Sequence, residues 1–310
     1  MASIATPSIT VKSVLVATDF SPELDKPLRH ALSIARHFGA EFYLAHVVTP
    51  HGFNIGCAGA VRFAIDTARH DSDQLHQHLL QSGALANLPH EFIVREGTVW
   101  EELGQIIHEK HVDLLVIGAR ARQILGKLLL GSVAEQIFRH AGCPVLTVGP
   151  GSDPDSPLEQ PQPLNTFLFA TDFGPASLHA LSYAVSFANH FGAKLVLLHV
   201  LPTVPLPEGF HWSATPNDVT QMREDARLAI LLRLEELISQ HAPLAVKPEC
   251  LVQFGMPGEQ ILHAAHVCKA DVIVMGLNRS AHIDAASHLP WATAYHVVCG
   301  AACPVLTLKN

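Results

Sequence analysis

A glycine-punctuated, basic loop lies between a short apolar stretch and a helical pattern in the middle of the chain. Residues 114–117 form a continuous apolar run that Gly118 ends, and Gly131-Ser132 opens the following helical pattern. Glycines let backbone amides approach a ligand closely, and the free amides and positive dipole end at a helix start favour an anion. The arrangement predicts phosphate binding, although an ordinary strand–loop–helix connection without a ligand fits the spacing as well.

The local residue types also predict how the helix of this segment begins and ends. Ser132 is expected to be the N-cap, with Glu135 three residues later at the spacing of a capping box. Gly142 is expected to stop the helix, because Pro144 forbids its continuation. In the preceding loop, Arg120 can form charge-assisted hydrogen bonds with phosphate.

The spacing of these glycines resembles the ATP-binding motif of the universal stress protein family. This chain has Gly118-x-x-Ala121, nine residues, then Gly131-Ser132, where ATP-binding members carry Gly-x-x-Gly, nine residues and Gly-Ser/Thr. Ala121 departs from the second glycine, and its methyl group is expected to crowd the phosphates. The motif is not a P-loop, because no Gly-Lys-Ser/Thr occurs in the sequence.

The resemblance implies a binding site for ATP or a related adenine nucleotide, with Mg²⁺ as a candidate companion ion. It places the adenosine pocket at the ends of the first, second and fourth strands and the phosphate cradle in the loop and helix start. The residues that match these positions are Ala17, Thr18, Asp19, Val47, Val48, Ile117, Gly118, Arg120, Ala121, Gly131, Ser132 and Val133. From the residues alone, Asp19 can equally be a helix-entry residue that local amides satisfy.

An internal repeat organises the chain into two domains. Residues 14–22 recur as residues 167–175, an offset of 153 (167 minus 14), and further on the offset becomes 158, which matches Gly118 with Gly276. A period of this length indicates two whole domains rather than a solenoid. The predicted division is residues 1–149 for the nucleotide-binding domain, 150–164 for a Pro-, Ser- and Asp-rich linker, and 165–310 for a second domain with a degenerate phosphate loop.

Strands and helices alternate within each repeat, which predicts right-handed crossovers and a parallel sheet. The predicted fold class is therefore α/β. The resemblance makes each domain flavodoxin-like (HUP-type, Rossmann-like), with a five-stranded parallel sheet covered by helices on both faces. In the first repeat the strands are predicted near 13–18, 41–48, 90–95, 113–118 and 144–149, and the helices near 22–38, 61–82, 99–110 and 132–141.

The second repeat keeps the aspartate of the site and loses the phosphate loop. Asp172 matches Asp19, but Leu289-Pro290 stands where the first repeat has Gly131-Ser132. Leucine adds bulk where a phosphate needs bare backbone, and proline removes an amide donor. We therefore expect one nucleotide per chain, held in the first repeat.

The composition of the chain indicates which partners and which cellular compartment are expected. The formal charge of −8 gives no basic stripe for nucleic acid, and the absence of an apolar run of about 18 residues predicts no membrane span. The N-terminal residues lack the pattern of a signal peptide. Six cysteines without CxxC pairs fit a reducing compartment, so a cytoplasmic location is expected.

Catalysis is not indicated beyond slow ATP hydrolysis. No GxSxG elbow and no HExxH motif occurs, so neither a hydrolase nucleophile nor a metal site is predicted from the 21 histidines. The leading hypothesis is a nucleotide-binding regulatory protein of the stress response. A nucleotide-independent structural or chaperone-like stress factor and a weak ATPase are the alternatives.

The last strand of each repeat predicts how the domains assemble. Residues 143–149 and 303–308 are short, apolar and expected at a sheet edge, which must be covered to avoid aggregation. Family members commonly pair through this strand, so the resemblance implies intramolecular pairing of the two domains, with a homodimer as a further option.

Overall fold

The computed structural model describes residues 9–21, 24–49, 58–119, 122–124, 127–129, 131–149, 163–202, 216–241, 243–277 and 292–309. These residues form two compact units. The first unit is drawn from residues 10–163 together with 298–309, and the second unit from residues up to Ile9 together with 164–297. The C-terminal segment of the second repeat therefore belongs to the first unit.

Strands and helices alternate along most of the chain. The strands are β1 (Ser13–Thr18), β2 (Glu41–Val48), β3 (His90–Glu96), β4 (Leu114–Gly118), β5 (Arg122–Ile124), β6 (Lys127–Leu129), β7 (Val145–Val148), β8 (Thr166–Ala170), β9 (Lys194–Leu201), β10 (Glu249–Phe254), β11 (Val272–Leu277) and β12 (Val305–Lys309). The helices are α1 (Asp25–Phe38), α2 (Ala58–Gln81), α3 (Val99–Glu109), α4 (Ser132–His140), α5 (Pro175–Phe191), α6 (Pro216–Ser239), α7 (Pro257–Val267) and α8 (Ala292–Gly300).

The sheet of the first unit confirms the α/β prediction. Its strand order is β12-β7-β4-β1-β2-β3, and the five strands from β7 to β3 are parallel. The central strands are buried on both faces, which explains why β1 and β4 read as continuous apolar runs rather than alternating ones. In the second unit the order is β10-β9-β8-β11, again parallel.

Strand β12 is the antiparallel member of the first unit's sheet. It pairs with β7 so that Leu306 lies opposite Leu146 and Thr307 opposite Val145. All five of its residues except Lys309 are buried, as are all four residues of β7. The two apolar last strands of the repeats therefore cover each other's edges, while the association of the two domains as bodies stays a prediction.

Glycines shared by the two repeats end equivalent helices. Gly39 at the end of α1 has a φ of 64°, and Gly192 at the end of α5 has a φ of 61°. The amide of Ala40 then bonds to the Ala35 carbonyl at 2.8 Å, the six-to-one hydrogen bond of a Schellman cap. This requirement for a left-handed residue explains why His-Phe-Gly-Ala recurs at the same place in both repeats.

A shared aspartate fixes the amino end of each sheet. The Asp113 carboxylate accepts a hydrogen bond from the Lys12 amide at 2.7 Å, and Asp271 accepts one from the Asn165 amide at 2.7 Å. Asp113 precedes β4 and Lys12 precedes β1, so this bond sets the alignment of the two strands that carry the predicted site at their other ends.

The loop after β4 contains secondary structure that the sequence did not predict. Strands β5 and β6 form an antiparallel pair with Arg122 opposite Leu129 and Ile124 opposite Lys127. Two residues, Leu125 and Gly126, separate the strands in the sequence, a length typical of a tight hairpin connection.

A buried histidine on α1 makes stability depend on pH. His30 is 7% exposed, and burial, with a smaller contribution from the neighbouring Arg29 charge, lowers its pKa to about 4. The unfolded chain takes up the proton near pH 6.5 and the folded chain near pH 4, so the stability present above pH 6.5 is lost as the pH falls through this window.

We expect the free energy of unfolding to fall by about 2–3 kcal/mol between pH 7.5 and pH 4.5 because of this one group. Denaturant unfolding of wild type and His30→Leu at both pH values measures it, and the variant should lose most of the difference. His37→Leu, an exposed position on the same helix, is the matched control. An equal pH dependence in His30→Leu and wild type would contradict the assignment.

Candidate functional site

The strand order of the first unit reverses between β1 and β4. Connections run outward from β1 through β2 to β3 on one side and from β4 to β7 on the other. Ala17 lies opposite Ile117 in the register of these two strands, so Thr18 and Gly118 end them side by side. Ligands of open α/β sheets bind in the crevice beyond such a reversal, because the connecting loops diverge there.

A tight turn follows β1 and presents the aspartate. The Phe20 amide donates to Thr18 Oγ1 at 2.8 Å, and the Ser21 amide donates to Asp19 Oδ1 at 3.1 Å. Phe20 has a φ of 55°, a left-handed conformation that is costly for a bulky side chain. The side chain of Asp19 is exposed at this edge, and Val47 and Val48, at the end of the adjacent β2, are buried.

His46 holds this turn in place. Its Nδ1 lies 2.8 Å from the Thr18 carbonyl oxygen, which makes Nδ1 the donor, and its ring lies 4.7 Å from the ring of Phe20. The Thr18 hydroxyl and carbonyl groups and the His46 imidazole thus hold the strained residue Phe20 on both sides. The sequence contained a signal for this role, since His46 recurs as His199, but the repeat alone did not reveal which group the histidine contacts.

The start of α4 differs from the predicted capping arrangement. Gly131, with φ −62° and ψ 150°, is the N-cap, and Ser132 is the first helical residue. The predictions of Ser132 as the N-cap and of a capping box with Glu135 are therefore wrong: the extended ψ at Gly131 places Glu135 four residues after the cap, and its amide donates to the Gly131 carbonyl at 2.9 Å. The helix ends at His140 rather than at Gly142.

This geometry leaves the amides of the first turn of α4 available. The first amides of a helix have no intrahelical acceptor, and a glycine N-cap supplies no side-chain oxygen to take one of them. Val133, in the same turn, is 39% exposed. The helix start keeps the donors that a phosphate needs.

The structure brings part of the predicted residue set to one edge of the sheet. Strands β1, β2 and β4 end there and carry Ala17, Thr18, Asp19, Val47, Val48, Ile117 and Gly118. Gly131, Ser132 and Val133 begin α4. Arg120 and Ala121 lie outside the described residues.

The equivalent turn in the second unit has an additional internal bond. Asp172 Oδ1 accepts hydrogen bonds from the Gly174 amide at 2.8 Å and from the Ser177 hydroxyl at 2.7 Å. At the offset of 153, Leu24 stands where this unit has Ser177, and leucine cannot donate such a bond. Phe173 repeats the left-handed conformation with a φ of 59°. The carboxylate of the second unit is therefore tied to its own helix.

The glycines that end β4 and β11 have different surroundings. A Cβ on Gly276 would lie 2.3 Å from the carbonyl carbon of Ala176, so β11 packs directly against the backbone at the start of α5. A Cβ on Gly118 would meet Pro27 Cγ at 3.5 Å, an ordinary contact.

The histidines and cysteines in the described part of the chain form no metal-binding site. No three His, Cys, Asp or Glu side chains there come close enough together to hold a metal ion. His76 and His90 form a pair with 3.0 Å between their Nε2 atoms. Burial raises the pKa of Cys143 to about 11, so this thiol stays protonated at neutral pH.

None of the described helices is long and apolar enough to cross a membrane.

Fold and site position together define a doubly wound α/β protein with its candidate site at the strand-order reversal. The family model for the universal stress protein family matches residues 10–149 and again residues 163–309. The chain therefore belongs to the universal stress protein family and contains two copies of its domain. The resemblance found in the sequence is confirmed.

Relatives of known sequence and structure agree with this membership. A universal stress protein of Mycobacterium tuberculosis H37Rv is 29% identical over 217 residues, which cover 67% of this chain and 71% of the relative. One from Methanocaldococcus jannaschii is 28% identical over 138 residues, 44% of this chain and 81% of the relative. The crystal structure of a universal stress protein from Archaeoglobus fulgidus, 18% identical, covers 97% of both chains with a TM-score of 0.64 and supports the same fold.

The two glycines provide a stability test of the difference between the units. In Gly276→Ala the new methyl group must displace backbone of α5, so we expect the free energy of unfolding to fall by about 3 kcal/mol. Gly118→Ala, the repeat-equivalent control, should change it by less than about 1 kcal/mol, because the nearest described atom belongs to a side chain at contact distance. Chemical denaturation measures both, and equal losses would show that the close packing is absent.

Proposed function

We propose that this protein is a stress-response regulator of the cytoplasm whose first domain, residues 1–149, binds ATP or a related adenine nucleotide. The observation that carries the proposal is the register of β1 with β4, which sets Thr18 and Asp19 beside Gly118 at the strand-order reversal. A phosphate-binding helix start at Gly131 follows in the same chain segment. Residues 165–310 form the second domain in this proposal, and residues 150–164 the linker.

Each group has a distinct part in the proposed complex. Asp19, whose Oδ1 the Ser21 amide orients, accepts hydrogen bonds from the nucleoside. Val47 and Val48 at the end of β2 and Ile117 at the end of β4 supply apolar surface for adenine. The amides of the first turn of α4 bind the phosphates, with Mg²⁺ neutralising the remaining charge. The proposed role of the site is binding, with slow ATP hydrolysis as the most catalysis expected.

Membership of the family also supports proposals about assembly. The antiparallel β7–β12 pair covers two apolar edges inside one chain. We propose that the two domains associate through these strands, as sister domains of a pseudo-dimer. Association of two chains into a homodimer is an outcome that sedimentation analysis would distinguish.

Titration calorimetry with ATP and Mg²⁺ tests the nucleotide site. Wild type should bind one equivalent with weak to moderate affinity, because the methyl group of Ala121 is expected to crowd the phosphates. Asp19→Ala and Gly131→Leu should each weaken binding roughly 100-fold or more, since charged hydrogen bonds contribute about 1.5–3 kcal/mol each. Asp172→Ala, the matched variant in the second repeat, should leave the affinity within about twofold of wild type.

Inorganic triphosphate is the control for phosphate-only binding, and it should bind wild type more weakly than ATP does. Loss of ATP binding in Asp172→Ala with its retention in Asp19→Ala would refute the assignment to the first domain. No binding at millimolar ATP would favour the nucleotide-independent structural or chaperone-like function. Release of phosphate from ATP faster than in buffer alone would show that the protein is also a weak ATPase.

A further inference from the structure

An arginine stacks on the turn that replaces the nucleotide site in the second unit. The guanidinium carbon of Arg233, on α6, lies 4.0 Å from the centre of the Phe173 ring. Arg233 is exposed, and among the described residues no carboxylate forms an ion pair with it. A guanidinium that stacks on an aromatic ring keeps its N–H edge for ligands, and that planar edge matches a phosphate.

The platform beneath this arginine is rigid. Phe173 is fixed in its left-handed conformation by the hydrogen bond from its amide to Thr171 Oγ1 at 2.9 Å. His199 lies with its ring 4.8 Å from that of Phe173 and its Nδ1 2.8 Å from the Thr171 carbonyl oxygen. The position of the guanidinium is therefore set in advance at the carboxyl edge of β8 and β9, which reduces the cost of binding an anion there.

The first unit has no counterpart to this arginine. Helices α2 and α6 are both 24 residues long and start 158 residues apart (216 minus 58), so Leu75 is equivalent to Arg233. In the same way, Ile65 is equivalent to Arg223, which lies 5.8 Å from the Phe254 ring at the end of β10. Two half-buried aliphatic positions of the first unit have thus become exposed, ring-stacked arginines in the second.

Carboxylates lie near this arginine, but none of those that the structure describes forms an ion pair with it. Oδ1 of Asp172, next to Phe173 in the chain, is engaged by the Gly174 amide and the Ser177 hydroxyl. On α6, Glu236 lies three residues after Arg233 and is exposed, while the earlier Glu224 pairs with Arg227, whose Nη1 lies 3.1 Å from it. The Arg233 guanidinium and the Phe173 ring are thus in contact, and the described residues supply no anion that pairs with the guanidinium.

We propose that Arg233 on its Phe173 platform is an oxyanion-binding site of the second unit that takes a compact phosphate ligand, such as inorganic pyrophosphate, without a nucleoside. The nucleoside is excluded because Asp172, the equivalent of Asp19, already accepts hydrogen bonds at Oδ1 from the Gly174 amide and the Ser177 hydroxyl. The second unit thus replaces backbone donors with an arginine side chain. The proposal does not depend on ATP binding in the first domain.

The test is titration calorimetry with inorganic pyrophosphate on full-length Gly131→Leu, in which the first-domain phosphate cradle is blocked. We expect one equivalent to bind, and Arg233→Ala in this background to weaken it at least tenfold. Arg227→Ala removes the same charge six residues earlier on α6, from an arginine that is paired with Glu224, and should change the affinity less than twofold. Arg233→Lys keeps the charge without the planar fork and should fall between.

Three results would overturn the proposal. Equal losses in Arg233→Ala and Arg227→Ala would show general attraction rather than a site, and absence of pyrophosphate binding at millimolar concentration would remove the site altogether. ATP binding this background more tightly than inorganic triphosphate would reveal a nucleoside pocket, while a lack of response to adenosine supports the proposal. Failure of ATP binding in wild type leaves this experiment unaffected, so the two proposals fail separately.

Discussion

Parallel pairing of β1 with β4 is the interaction on which the rest of the first unit depends. It joins two strands that are far apart in sequence, and the bond between Asp113 and the Lys12 amide fixes their alignment at the amino end. Once that alignment is set, the opposite ends must place Thr18 next to Gly118. The position of the strand-order reversal, where Asp19 and Gly118 lie, is thus a consequence of topology.

The two repeats show which features this topology requires and which it tolerates losing. Positions that fix backbone geometry are the same in both: the left-handed Gly39 and Gly192 end equivalent helices, and Phe20 and Phe173 adopt equivalent strained turns. Such strain persists only where the surroundings determine it strongly, and here a histidine and a threonine do so in each unit. The sequences of the loops after β4 and β11 have diverged: Gly131-Ser132 of the first repeat is Leu289-Pro290 in the second.

The sequence predicted the parts of the fold that local pattern encodes. Buried parallel strands appear as apolar runs, and the left-handed glycines mark helix ends, so strands such as β1 and β2 fall where they were expected. The β5–β6 pair was missed because strands of three residues are too short to give a recognisable alternation of apolar and polar residues. The N-cap at Gly131 was missed because the choice between adjacent caps depends on one ψ angle. The antiparallel β7–β12 register was not specified by any local pattern, because the two strands are separated by most of the second repeat.

The same reasoning explains why anion recognition in the second unit would move to a side chain. Backbone donors bind phosphate only if the chain can approach without a Cβ, and the second repeat has Leu289-Pro290 where the first has Gly131-Ser132. A long side chain from a helix on the sheet's flank can reach the same edge without a glycine loop. Arginine suits this position better than lysine, since its planar guanidinium can stack on Phe173, whose ring centre lies 4.0 Å from the guanidinium carbon. A repeat can therefore lose its glycine loop, keep its fold and still present positive charge at the edge where the topology places ligands.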